Sequence, residues 1–545
     1  MSYSKGINSS AATLTKNRVP GSVCPATGLC VTCVDGCTGL CEVGKSAIRG
    51  REVIYPKPFG TMTTGSEKDY PVDLSHFTIM GTAAGAWGIE ADSDKALFPA
   101  VNVETQVGGY GEPGLSARPI KLRIPFFVAA LGSTRVAKDN WDGLAIGSAI
   151  SGTILTIGEN VAAMDPDAEI KGGRVVNAPD LARRVKLFKD WQDGYGTIVV
   201  QANVEDTRLG VQEYAIEKLG VEAVEIKWGQ GAKDIGGEVK LPTLERALQL
   251  KSRGYVVLPD PEDEEVQAAF KRQAFKEFER HSRIGMVDHE SFISRVNELR
   301  RAGAKYVFLK TGAYRPVDLA RALAFASEAR IDLVTVDGAG GGTGMSPWRM
   351  MNEWGIPTVY LESLVYQYLS YLDSRGAFVP DVAIAGGFVL EDQVFKGIAL
   401  GAPYIKAVAM ARAPLTAVMV GKTIGGLAAK GKLPGDLKDY GETVEDIFMS
   451  AFELRKKYGK DFARIPEAAI GLYSYFDRVA YGLKQFMCGA RKFAINYISR
   501  DDIAALTEEA ASLTGIPYVT ELDREDAYAI LDQAPTATSA AVAGS

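Results

Sequence analysis

The chain has 545 residues, ample for a large buried core, and its composition, 46% hydrophobic and 23% charged, is that of a globular protein. A formal net charge of −6, with Lys and Glu interspersed, offers no basic stripe to neutralise phosphates, so nucleic acid is not expected as a partner. The opening MSYSKGINSS has no apolar leader core, and PYIKAVAMARAPLTAVMVG is broken by Lys406, Arg412 and prolines short of a membrane span; a soluble, cytoplasmic protein without a membrane partner is expected.

Residues 1–60 are rich in Gly, Ser and Cys with little periodicity, and should form a small module ordered by something other than apolar burial. Cys24, Cys30, Cys33, Cys37 and Cys41 follow the spacing C-x5-C-x2-C-x3-C-x3-C, with glycines between that let tight turns bring thiolates around one centre. Six cysteines are too few for a disulfide scaffold in so long a chain, which leaves an iron–sulfur cluster, structural zinc, or redox-active or unliganded thiols. The adjoining GLCEVGKS satisfies the G-x4-G-K-S phosphate-loop pattern, but no apolar strand precedes it, so the match is read as a coincidence of spacing.

Residues 61–120 read as a lead-in packed on the main domain. From 121 to about 425 the chain alternates short apolar runs with helical patterns: FFVAAL, GTILTIGE, TIVVQA, AVEIKWG, YVFLKT, DLVTVDG, DVAIAGG and YIKAVAMA. Eight such runs predict an α/β fold, a (β/α)₈ TIM barrel. A charged, helix-prone insertion over about 259–288 separates the fourth run from the fifth and reads as a solvated face or lid. Residues 426–545 read as a helical extension, including GDLKDYGETVEDIFMSAFELRKKYGKDF and RDDIAALTEEAASL, with a loose tail. Cys488 stands alone on a helical pattern and reads as a buried structural thiol.

In such a barrel the chemistry sits where the strands end. Those ends carry GST, GEN, GQGAK, Lys310, DGAGGGTG and GG, and glycine there lets backbone N–H groups approach a phosphate or a flat ring, or simply makes a turn. A phosphate at the seventh and eighth ends would meet Gly386, Gly387 and the backbone at Met410 and Ala411. Lys310 closes an apolar strand, so its ammonium needs either an electron-rich partner or an internal ion pair with Asp337 or Glu159.

The succession IPFFVAALGST, TIGEN, VEIKWGQGAKDIGGEVKLP, VDGAGGGTGMSP and IAGG resembles the FMN-binding synthase domain of glutamate synthase over roughly 120–425. The resemblance implies FMN across the barrel mouth, against Ala130, Leu131, Gly132 and Ser133, with Gln201 and Lys310 at its ring. Gly340, Gly341 and Gly342 belong to the matching Gly-rich segment, and the backbones of Gly386, Gly387, Met410 and Ala411 would face the phosphate. It implies hydride transfer to 2-iminoglutarate, formed from 2-oxoglutarate and ammonia, with Glu159 handling a proton. Lys227, Gln230 and Lys233 match the substrate side, where ammonium groups would hold a small dicarboxylic acid. Arg208 is the candidate for a carboxylate clamp, although NVEDTRLGV replaces the family's segment there.

Departures from the family are equally specific. The PPHHD segment is replaced, with His281 and Arg283 its nearest equivalents, and the three cysteines of the usual [3Fe–4S] cluster are absent from 404–425. A flavin that has lost that cluster turns the N-terminal cysteines toward an iron–sulfur centre, [4Fe–4S] if four thiolates bind. Ammonia is expected to arrive free or from another chain, and a ferredoxin or reductase is the expected electron donor, with a homo-oligomer left open. Two other readings stand beside this one: a flavin barrel with a different substrate, and a non-catalytic flavin and iron–sulfur electron-transfer subunit.

Overall fold

The computed structural model describes residues 36, 42–51, 70–111, 118–231, 239–339 and 354–534. Eight strands close into a barrel: β1 (Phe126–Leu131), β2 (Leu155–Ile157), β3 (Ile198–Ala202), β4 (Ala223–Lys227), β5 (Tyr306–Thr311), β6 (Leu333–Asp337), β7 (Asp381–Ala385) and β8 (Ile405–Met410). Each of the eight apolar runs read from the sequence supplies one strand. Successive strands pair in parallel, and β8 closes the ring by setting Val408 opposite Phe126 and Met410 opposite Val128.

Strands buried on both faces read as continuous apolar runs, because alternate side chains serve two different cores. Phe127, Ala129, Val199, Phe308, Leu333, Ala383 and Ala407 fill the barrel interior. Val128, Val200, Val224, Leu309, Val334 and Ile384 point outward to the helical layer.

That layer comprises α1 (Glu42–Arg49), α2 (Trp141–Ser151), α3 (Pro179–Lys189), α4 (Val211–Leu219), α5 (His289–Arg301), α6 (Pro316–Glu328), α7 (Thr358–Ser374), α8 (Glu391–Leu400), α9 (Arg412–Ala428) and α10 (Glu467–Gly489). The long α10 lies against α2 and α9 at close range. A Cβ on Gly421 would stand 2.6 Å from the Glu467 carbonyl oxygen, and one on Gly143 2.6 Å from Val418. Gly44, Lys45 and Ser46 lie in the first turns of α1, with Ser46 buried.

The lead-in seals the N-terminal end of the barrel. Strands Thr105–Val107 and Ile120–Leu122 form an antiparallel pair, and the amides of Gly108, Gly109 and Tyr110 donate to Asp381 and Asp332 at 2.8, 2.9 and 3.0 Å. Among the described residues, the C-terminal end is the one left as a mouth.

Two segments differ from the sequence reading. RDDIAALTEEAASL begins with a single 3-10 turn, Arg500–Asp502, and is α-helical only from Glu508; Ile503–Ala505 is a strand pairing antiparallel with Phe77–Ile79, a partner more than 400 residues away that no local pattern announces. Between β4 and β5, strands Val239–Leu241, Val256–Leu258 and Phe278–His281 form a small antiparallel sheet, accompanied by helices Leu244–Ser252 and Glu264–Lys271. Among the described residues, no helix is long and apolar enough to cross a membrane.

Candidate active site

The inner face of the barrel is uneven. Ala129 on β1, Ala383 and Ala385 on β7, and Ala407 and Ala409 on β8 make one side of small residues. The opposite side carries Gln201, Glu225, Lys310 and Thr335 on β3 to β6, all buried.

Glu225 and Lys227 are two residues apart on β4, so strand alternation puts them on one face. The Lys227 Nζ donates to Glu159 Oε1 at 2.6 Å and to Gln230 Oε1 at 3.0 Å. Lys310 Nζ lies 3.2 Å from Asp337 Oδ2, the ion pair the sequence left open. Gln201 Nε2 donates to Glu225 Oε1 at 2.6 Å. Three carboxyl groups thus face two ammonium groups at the ends of neighbouring strands.

Their environments pull the acids apart. Burial works to raise the Glu159 carboxyl, but the Lys227 ammonium, with help from Lys310, holds it down at about 2. Burial raises Glu225, with Lys310 opposing, toward the protonated form that relieves the excess of acids. Burial also acts to lower Lys310, yet Asp337 and Glu225 outweigh it, so this lysine remains a cation inside the barrel.

The strand-end glycines have local reasons. A Cβ on Gly132 would stand 2.6 Å from the Glu159 carbonyl oxygen, and one on Gly158 2.7 Å from the Gly132 amide, where the ends of β1 and β2 touch. Gly386 and Gly387 have φ of +128° and +105°, conformations that L side chains rarely adopt. Ala130, Leu131 and Ser133 line the end of β1 at intermediate exposure. The Gly132 carbonyl accepts from the buried Arg184, which fixes this end from behind. Met410 is buried, and Ala411 precedes α9 without a side-chain capping hydrogen bond.

Arg208 is not part of the Lys227 group. Its guanidinium lies 3.3 Å from the buried Glu205 and donates to the Arg253 carbonyl at 2.8 Å. Arg283 also holds Glu205, at 2.9 Å, while His281 pairs with Glu279 at 3.4 Å. Cys488 is a half-buried free thiol packed against the core. Lys233, Gly340, Gly341, Gly342 and the five N-terminal cysteines lie outside the described residues. Among the described residues no group of His, Cys, Asp or Glu could hold a metal ion.

Several residues behind Glu159 were not singled out from the sequence. Asn160 sits at φ +65°, uncommon for a side chain, and its amide donates to Asp206 Oδ2 at 2.6 Å. Burial lifts Asp206 to about 7; the Asn160 hydrogen bond opposes the rise and the Glu159 charge adds to it. Because the folded value lies above the ordinary one, the folded protein loses stability as pH rises from about 4 to about 7. Asp206→Asn removes that loss while keeping an oxygen for the Asn160 amide. The variant should match the parent near pH 4 and exceed it at pH 8 by up to about 4 kcal/mol, read by urea denaturation at the two pH values.

Residues 280–422 match the conserved region in glutamate synthase. That region spans β5 to β8 and therefore includes Lys310, Asp337 and the glycines after β7. Archaeal glutamate synthase [NADPH] of Methanocaldococcus jannaschii is 29% identical over 229 residues, 42% of this chain and 41% of that protein. Archaeal-type glutamate synthase [NADPH] of Thermotoga maritima is 28% identical over 287 residues, 52% and 47% of the two chains. The chain thus spans about half the length, or less, of these curated relatives. Solved structures of similar shape include a flavocytochrome b2 variant with pyruvate bound, 14% identical, covering 85% of this chain and 82% of that one at a TM-score of 0.44. Another is a soluble mutant of (S)-mandelate dehydrogenase from Pseudomonas putida, 13% identical, covering 91% and 97% at a TM-score of 0.40.

Proposed function

We propose that this chain is an FMN-dependent oxidoreductase of glutamate synthase type, acting on an α-imino or α-amino dicarboxylic acid. The observation that carries the reading is the ion-paired set Glu159, Lys227, Lys310 and Asp337, with Lys310 buried and the others partly so, at the strand ends of a barrel whose β5 to β8 match the glutamate synthase region.

The residues fit a flavin. Gln201 Oε1 and Thr335 Oγ1, on the inner face of the barrel, are buried without a hydrogen-bond partner among the described residues, which leaves an unmet acceptor and an unmet donor on the side of Lys310. The alanines of β1, β7 and β8 leave the opposite side lean, as a flat ring requires. Gly387 and the uncapped start of α9 are suited to a phosphate. FMN, when bound, supplies the hydride.

The chain's own residues supply position and protons. Lys310 places a fixed positive charge beside the ring site. Glu159 stays a carboxylate at neutral pH, so it cannot itself be the acid. It orients Lys227, whose ammonium is the group able to hold a substrate carboxylate or to give a proton to a substrate nitrogen. The five cysteines are proposed to bind an iron–sulfur cluster, with a ferredoxin or reductase chain as electron donor.

Anaerobically purified protein should release FMN on denaturation and contain iron with acid-labile sulfide. Supplied with 2-oxoglutarate, ammonia and a chemical reductant, it should form glutamate. A colourless protein overturns the flavin reading, and zinc in place of iron overturns the cluster. Flavin that reduces while no glutamate appears overturns the substrate and favours a different oxidoreductase on the same barrel, the reading toward which the altered 239–281 region points.

A further inference from the structure

The small sheet between β4 and β5 makes its contacts with the loop that carries Glu159. Tyr255, at the start of strand Val256–Leu258, donates its hydroxyl to Asn160 Oδ1 at 2.8 Å. Arg253 donates to the carbonyls of Ala163, Asp165 and Ala168 at 2.7, 2.6 and 2.9 Å. Gln249 reaches the Pro166 carbonyl at 3.0 Å, and Arg246 that of Met164. The Tyr255 ring is itself held under the buried Arg280 guanidinium, 4.8 Å from its centre. From the barrel side, Gly158 donates to the Leu131 carbonyl at 2.9 Å. The loop is thereby gripped from both flanks, with Glu159 between the grips.

We propose that this sheet is a clamp that positions Glu159, and through it Lys227, with Tyr255 and Arg253 as the positioning residues. The inference rests on the reading that the Glu159 and Lys227 pair serves the reaction. It assigns a role to residues 246–255, which lie just before the 259–288 segment read from the sequence as a charged face or lid. Five of the six carbonyls from Ala163 to Ala168 accept hydrogen bonds from this segment, four of them from the Arg253 fork and that of Met164 from Arg246. Asn160 pays for its left-handed backbone with the Tyr255 hydrogen bond, so the geometry beside Glu159 depends on a residue almost 100 positions later.

Two variants remove the same contact from opposite ends. Tyr255→Phe keeps the ring under Arg280, and Asn160→Gly suits the left-handed conformation while keeping the amide to Asp206. In the flavin-loaded protein each should raise deuterium exchange in peptides covering 158–168, with the barrel strands unchanged. Each should lower kcat about tenfold with KM nearly constant, and the double variant should be no worse than either single one. Unchanged exchange over 158–168, or effects that add, overturns the clamp. If exchange rises as expected while Glu159→Gln leaves turnover intact, the clamp stands and the role given to Glu159 fails.

Discussion

Lys310→Met should abolish most activity and cost the fold several kcal/mol, and the two losses should be separable. The ammonium is buried and answers Asp337 at 3.2 Å, with Glu225 and Glu159 also acting on it. Removing one partner of a buried pair leaves an uncompensated charge, typically a loss of about 3–5 kcal/mol. Asp337→Asn on the same background removes the orphaned carboxylate and should return most of that stability. It returns no positive charge to the proposed flavin site, so turnover should stay about 10²–10³-fold down in both variants. Urea denaturation beside a turnover assay reads the two effects; activity recovering with stability would reduce Lys310 to a structural ion.

The barrel was legible because a parallel strand buried on both faces has to be a run of apolar residues, and FFVAAL and YVFLKT became strands residue for residue. The strand Phe278–His281 was not legible, since FERH is half charged. It is a strand because Phe278 and Arg280 turn inward and the Arg280 charge is covered by Tyr255, an interaction that exists only in three dimensions. The site divides in the same way. Glu159, Gln230 and Lys310 stand in the strand-end segments and Lys227 was marked by the family resemblance; the structure brings Glu159, Lys227 and Gln230 into one hydrogen-bonded group. Glu225 had an available signal, two residues before Lys227 on the same strand. Asp206 and Tyr255 had none, because their importance lies in reaching Asn160 from other strands' loops.

Glu159→Gln is the second substitution with a large expected effect, and its pH dependence separates charge from geometry. In the parent, the carboxyl is held at about 2, below its ordinary 4.5, by Lys227. A depressed acid contributes stability that is present in full above about pH 4.5 and is lost as pH falls toward 2. The side chain is 26% exposed to the mouth, so solvent screening trims the contribution to about 1–2 kcal/mol. The parent should therefore weaken between pH 4.5 and pH 2.5 by that amount more than the glutamine variant does. At neutral pH the variant keeps an oxygen for Lys227 but not the charge that orients its ammonium, and turnover should fall about 10²-fold. Asp206 supplies the control: freed from the neighbouring carboxylate that adds to its rise, it should titrate lower in Glu159→Gln than in the parent. A variant that loses turnover without moving Asp206 has lost its loop geometry rather than one negative charge.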